Sequence, residues 1–257
     1  MIRRIICTCL IVLATAGLLV CWFHFVGALS AQGRQQTSCG QVKIVLLDSL
    51  ESGIVNKKAV QQAVERQVIG QVTDSIDLDA IERQIRSGGE VMSAQVFTGS
   101  PKTVTVHITQ RKPVLRFEGA GGHWYADPEG YLFPVTNTVD VPLVTGNLPF
   151  QLTADWRGPA PEAQREWMLG MIELARYIDS RDILRQEIAQ IDIAKDGDLV
   201  LYTRTPGPAV IFGDSGNYAV KFRKLEAWWR NILPQTEGKT YKTINLKYNN
   251  QIICKQL

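Results

Sequence analysis

The sequence predicts an α+β chain: one membrane-spanning helix, then a small domain of order strand, helix, helix, strand, strand, then a larger strand-rich domain with two helices. Three observations carry this. A long apolar run opens the chain, helical and strand periodicities alternate over residues 41–113, and short strands separated by Gly- and Pro-containing turns dominate 114–257. The composition agrees, since 45% of the 257 residues are apolar, enough to build ordinary hydrophobic cores.

From Ile5 to Leu29 there is no Asp, Glu, Lys or Arg. A helix of that length rises roughly 37 Å, enough to cross a hydrocarbon core of about 30 Å with some tilt. Arg3 and Arg4 precede it and no comparable basic cluster follows closely, so residues 1–4 are expected in the cytoplasm and the remainder outside. Trp22, Phe23 and Phe25 sit at the exported end, the headgroup level for aromatic rings. A cleaved signal peptide is the alternative, with the small residues of Ala28–Ala31 as its cleavage site, but the apolar run is longer than a signal core. Both readings export the rest.

The formal charge is +3 and Arg3 and Arg4 supply two of the excess cations. A chain so nearly balanced lacks the concentrated basic face that nucleic acid requires. Of five cysteines, Cys7, Cys9 and Cys21 lie in the apolar run, where they pack as small hydrophobes. Cys39 and Cys254 lie in the exported part; compartment allows a disulfide between them, no spacing framework supports one, and two unpaired thiols are expected.

A polar linker over 30–40 leads to a strand at 41–47. Asn56 can cap a helix from Lys57 to about Gln67, with Val60, Ala63, Val64 and Val68 in one stripe. Asp77 precedes a second helix carrying Leu78, Ile81 and Ile85, which Gly88-Gly89 ends. Strands follow at 91–98 and 103–110, the latter with Val104, Val106 and Ile108 alternating with Thr103, Thr105 and His107.

In the second domain, Asp127–Gly130 reads as a turn between aromatic strands, and Val141–Gly146 as a loop or edge segment. Pro161 opens a helix to about Tyr177 that buries Trp167, Met168, Met171, Ile172, Leu174 and Ala175. Strands at 188–193 and 199–203 flank a Lys195–Asp198 turn, and another follows at 209–212. A helix over 218–233 is expected to bury Phe222, Leu225, Trp229 and Ile232, and a single strand over 243–255 closes the chain.

No residues suggest catalysis. The three histidines, His24, His107 and His123, have no metal-ligand spacing, and there is no C-x-x-C, no Gly-x-Ser-x-Gly elbow and no phosphate loop. The carboxylates of Asp127-Pro-Glu-Gly130 and of Lys195-Asp-Gly-Asp198 are accounted for by turns. The expectation is no catalytic residue, no cofactor, no metal and no small-molecule substrate.

The order of elements resembles the FtsQ/DivIB family of bacterial division proteins. Residues 76–85, 91–96 and 103–114 are similar to the family's POTRA domain and its exit, where Ile108-Thr-Gln-Arg-Lys-Pro-Val114 carries Gln110 in place of an acid. Trp124–Phe133 resembles the family's D-x-x-G-x-x-F hairpin, and Ile244-Asn-Leu-Lys-Tyr248 its closing D-L-R-Y strand, with Asn245 and Lys247 replacing the acid and the arginine. The resemblance implies a non-catalytic divisome scaffold in the inner membrane, bound outside the cytoplasm to FtsB/DivIC-like and FtsL-like proteins. A terminal strand could accept a partner strand along its free edge, with Lys247, Tyr248, Asn250 and Ile252 as contacts. Alternatives from other classes are a membrane-anchored peptidoglycan-directed enzyme, which needs a catalytic group, and a POTRA-type export component, which usually has more modules than this chain has room for.

Overall fold

The computed structural model describes residues 15–26, 37–48, 53–100, 102–134, 136–235, 241–248 and 251–256. Residues 15–26 are helical and expose Leu18, Leu19, Trp22, Phe23 and Phe25. Among the described residues no helix is long and apolar enough to cross a membrane; residues 5–14 and 27–29 of the expected span lie outside them.

The first domain consists of β1 (Gln41–Leu46), α1 (Lys57–Val68), α2 (Leu78–Arg86), β2 (Val91–Ser100) and β3 (Thr103–Gln110). Both helices begin where a side chain satisfies an orphan amide: Asn56 Oδ1 accepts from Ala59 N and Asp77 Oδ1 from Ala80 N. The sheet order is β1-β3-β2, with β1 parallel and β2 antiparallel to β3. The parallel pairing needs a crossover, which the two helices provide. Central β3 alternates as its sequence does: Val104, Val106 and Ile108 are fully buried, each worth about 1.5–3 kcal/mol against exposure.

Among the described residues the second domain is built on one ten-stranded sheet and three α-helices. Its elements are β4 (Leu115–Gly119), β5 (Gly122–Ala126), β6 (Tyr131–Pro134), β7 (Leu143–Gly146), β8 (Gly158–Pro159), α3 (Arg165–Asp179), α4 (Asp182–Glu187), β9 (Ile188–Ile193), β10 (Leu199–Thr203), β11 (Ala209–Gly213), α5 (Tyr218–Ala227), β12 (Tyr241–Asn245) and β13 (Ile253–Gln256). The order is β13-β12-β11-β10-β9-β7-β4-β5-β6-β8. Met168, Met171, Ile172, Leu174, Ala175 and Ile178 of α3 join Phe222, Leu225 and Trp228 in its core.

Four expectations are corrected. Segment 141–146 is no edge: β7 is interior, parallel to both β4 and β9. Four residues with Val144 alone fully buried are too few to show an alternation, yet backbone pairing on both sides fixes them. Gly146 closes the strand at φ 88°, where a Cβ would lie 2.4 Å from Ile193 O. A third helix, α4, escaped notice because its six residues bury only Leu184. The 218–233 helix changes pitch at a π-helical turn over Trp228–Ile232, so Trp228 is buried, Trp229 half-buried and Ile232 exposed. The closing strand is a hairpin, β12 antiparallel to β13.

The two domains share side chains. Tyr125 and Phe133, from β5 and β6, pack into the first domain's core with Val104, Ile108 and Ile54. Tyr125 Oη accepts from Val139 N at 2.7 Å and donates to Asn137 O, while Asn137 Nδ2 donates to Ile54 O. At the centre lies Asp127, 1% exposed, whose carboxylate accepts from Arg111 Nη1, Glu129 N and Tyr131 N. Arg111 Nε donates to Gly89 O, and its guanidinium stacks 3.6 Å above the Tyr131 ring.

Gln110 explains its own departure from an acid. It is buried, its Nε2 donates to Asp48 Oδ1 at 2.9 Å and its Oε1 accepts from Val55 N at 3.0 Å. An ionised carboxylate could accept but not donate. Gln110→Glu is therefore expected to cost about 1–3 kcal/mol at neutral pH. Beside Asp48 the new acid's folded pKa is raised, so the loss is absent below the ordinary glutamate pKa of about 4.3, grows as pH rises above it and is complete once pH passes the raised folded value. Urea midpoints measured from pH 4 to 8 check this against wild type; a parallel pair of curves contradicts it.

Candidate partner-binding edge

The larger sheet ends at β8 and β13. β8 is two residues long and ends in Pro159, a poor template for another strand. Of the smaller sheet's two outer strands, β1 and β2, the latter is guarded by α2, where Glu82 Oε1 accepts from Val96 N at 2.8 Å. By contrast, no side chain among the described residues bonds the main chain of Ile253–Gln256, and Ile253 is 44% exposed. The hairpin's exposed charges are all basic, Lys242, Lys247 and Lys255, with no acid among its described residues.

The hairpin is held in place from below. Ile244 and Leu246 are fully buried, Trp228 meets the Tyr241 ring edge-on, and Leu246 N donates to Ile211 O. The chain then leaves the sheet over α5, where Lys224 Nζ donates to the carbonyls of Leu246 and Tyr248. Burial, then the neighbouring Lys221 charge, pushes the Lys224 ammonium below the ordinary lysine range. Lys221 is itself buried and donates to Asp214 Oδ1 (2.7 Å) and Asp214 O (2.9 Å), which fixes the start of α5. Lys247 lies across Gly213, where a Cβ would come within 2.9 Å of its Cγ, and pairs with Asp198 of the β9–β10 turn. That hydrogen bond raises the Lys247 pKa.

The four expected contact residues thus have different surroundings. Tyr248 is 50% exposed on a backbone pinned at its carbonyl. Lys247 is engaged by Asp198, Ile252 is half-buried against the core, and Asn250 lies outside the described residues. Ile253, Lys255 and Lys224 were not among the expected contacts; the polar run Asn249-Asn250-Gln251 in the sequence was the available signal that the closing segment is not one strand.

Among the described residues no group of three His, Cys, Asp or Glu could hold a metal ion. His107 stacks edge-on against Phe97, and His123 lies 3.8 Å from the exposed Glu118. A cavity of about 500 Å³ beside Pro113 and Ile178 is lined by no serine, cysteine or histidine, and two of its cations, Arg204 and Arg185, are paired to Asp140 and Asp182. Cys39 and Cys254 are unpaired and pack in different cores.

Because Lys221 hydrogen-bonds and attracts the Asp214 carboxylate, its pKa falls below the ordinary aspartate range. A depressed acid stabilises above its unfolded pKa, and that contribution is lost as pH falls through the folded value. Acid unfolding below about pH 4 should therefore be steeper in wild type than in Asp214→Asn, which should be less stable at pH 7. Equal acid limbs would remove Asp214 from the support of α5.

The profile of the family described as FtsQ/DivIB, C-terminal related, matches residues 112–255, and that of the POTRA-like domain matches residues 37–109. The chain is 30% identical over 176 residues to the cell division protein FtsQ of Rhodothermus marinus, covering 65% of this chain and 60% of the relative. It is 25% identical over 163 residues to that of Salinibacter ruber, 59% of each, and 26% over 160 residues to that of Streptomyces bingchenggensis, 62% and 58%. The chain thus spans about three fifths of the length of these relatives. With the first profile covering more than half of it, the chain belongs to the FtsQ/DivIB family.

Proposed function

We propose that this chain is a membrane-anchored, non-catalytic scaffold of the bacterial division machinery, and that it holds its partner by strand addition to β13. The observation that carries the reading is the contrast between edges: β8 is two residues ending in proline and β2 is capped at Val96 N, whereas β13 is basic, bonded by no side chain among the described residues, and backed by β12, whose Ile244 is fully buried. An added strand would find free main-chain groups along Ile253–Gln256, with Tyr248 and Ile253 as apolar anchors beside them. Lys242 and Lys255 favour an acidic partner segment and quicken its approach. Lys247 works differently, holding the approach to Tyr248 in place through Asp198.

The partners this reading names are the FtsB/DivIC-like and FtsL-like coiled-coil proteins. The similar proteins of Rhodothermus marinus, Salinibacter ruber and Streptomyces bingchenggensis are cell division proteins, which supports the setting. The anchor is supported by the row of large apolar side chains that residues 15–26 leave uncovered, a surface suited to lipid. With Arg3 and Arg4 ahead of that segment, the positive-inside rule keeps residues 1–4 in the cytoplasm and both domains outside.

The test is co-purification of the native envelope complex with wild type, with Tyr248→Ala/Ile253→Glu, and with Lys224→Met. The double variant is expected to lose the coiled-coil partners while keeping the wild-type melting curve. Lys224→Met should weaken retention by freeing the Leu246 and Tyr248 carbonyls, and a fall of about tenfold corresponds to 1.4 kcal/mol. Full retention by both variants would remove the partner from this edge.

A further inference from the structure

The first domain carries a second surface with the marks of a docking site. Between α1 and α2 runs a groove of about 380 Å³ whose floor includes Val60, Ala63, Val64, Ile81 and Ile85. The start of α1 and the end of α2 share one end of the sheet, since Val55 N donates to Gln110 Oε1 and Arg111 N to Glu90 O, so Asn56, Ser87 and Gly88 of the lining mark one mouth.

The charges are segregated. At the Asn56 mouth, α1 begins with Lys57 and Lys58 and α2 ends with Arg83 and Arg86, all exposed and none ion-paired among the described residues. The arginines suit the end of a helix. The lysines do not: the first turn of α1 has no acid, and cations at a helix N-terminus oppose the macrodipole. No ion pair among the described residues offsets that cost, and local costs of this kind are expected at functional surfaces. Glu90 is the one carboxylate lining the groove; Glu65 is held by Gln61 and Glu82 by Val96 N.

We propose that this groove receives an acidic amphipathic helix of a protein partner, its apolar stripe on Val60, Ala63 and Ile85 and its carboxylates at Lys57, Lys58, Arg83 and Arg86. A lipid headgroup shares the charge but not the place. The chain enters this domain at the opposite end of α1, where Gly70 N donates to Cys39 O and Thr73 N to Thr37 O. The twelve residues of α1 set the basic mouth about 18 Å further on. There it borders the second domain, whose Arg157 Nε donates to Gly88 O. A concave apolar floor also fits a helix better than a flat bilayer. The site is separate from β13, and a chain that holds nothing at its terminal edge could still pass the following test.

Two fluorescein-labelled amphipathic peptides sharing one leucine stripe, one ending in glutamates and the other in lysines, are titrated by anisotropy into the purified full chain. The glutamate peptide should bind about tenfold tighter than the lysine peptide. Lys57→Glu/Lys58→Glu should reverse the preference, and Ala63→Trp, which fills the groove, should abolish binding of both while the melting curve shows the domain folded. Phosphatidylglycerol vesicles serve as the lipid arm. Equal affinity for both peptides, no binding of either, or binding to vesicles alone that the lysine variant removes would overturn the proposal.

Discussion

One carboxylate organises this molecule. Asp127 closes the β5–β6 turn through the amides of Glu129 and Tyr131 and with its other oxygen takes the guanidinium of Arg111, which arrives from the end of β3. Arg111 in turn bonds Gly89 O, just beyond α2, and lies on Tyr131. A buried pair of this kind adds little net stability over an apolar contact, but removing one member strands the other at a cost of about 3–5 kcal/mol. What it specifies is direction: the hairpin must turn its Tyr125 and Phe133 face into the first domain's core.

That constraint matters because the two candidate surfaces lie far apart in the topology. The groove belongs to the first domain, and β13 is nine strands from β8 across the second sheet. A flexible joint would leave their separation undefined. The shared core of Tyr125, Phe133, Ile54 and Val104, with Asn137 bonded to Ile54 O, makes the joint a packed interior instead. On the proposed reading, with one partner at the groove and another at the edge, this rigidity is what fixes the distance between them.

The first domain was legible almost residue by residue, because its signals are local. Asn56 and Asp77 cap where expected, and the β3 alternation survives in its burial. The second domain hid what depends on partners distant in sequence. β7 is a strand only because β4 and β9 flank it, and Trp228 rather than Trp229 enters the core because a wide helical turn shifts the phase after Ala227. At the edge, Tyr248 was readable as an aromatic in a polar context. Its support was not, since Lys224 and Asp198 reach that segment from 24 and 49 residues earlier in the chain. The motifs ending at Val114 and at Phe133 were visible separately; that Arg111 of the one grips Asp127 of the other follows only from the fold.

The most direct measurement is native-state hydrogen exchange of the Val106 and Ile108 amides in β3 and the Trp124 and Ala126 amides in β5, in wild type and in Asp127→Asn. The account predicts that both pairs open with one common free energy in wild type and lose protection together in the variant, as parts of one cooperative body. Loss confined to β5, with Val106 and Ile108 as protected as before, would contradict it and make the domains independent beads on a joint.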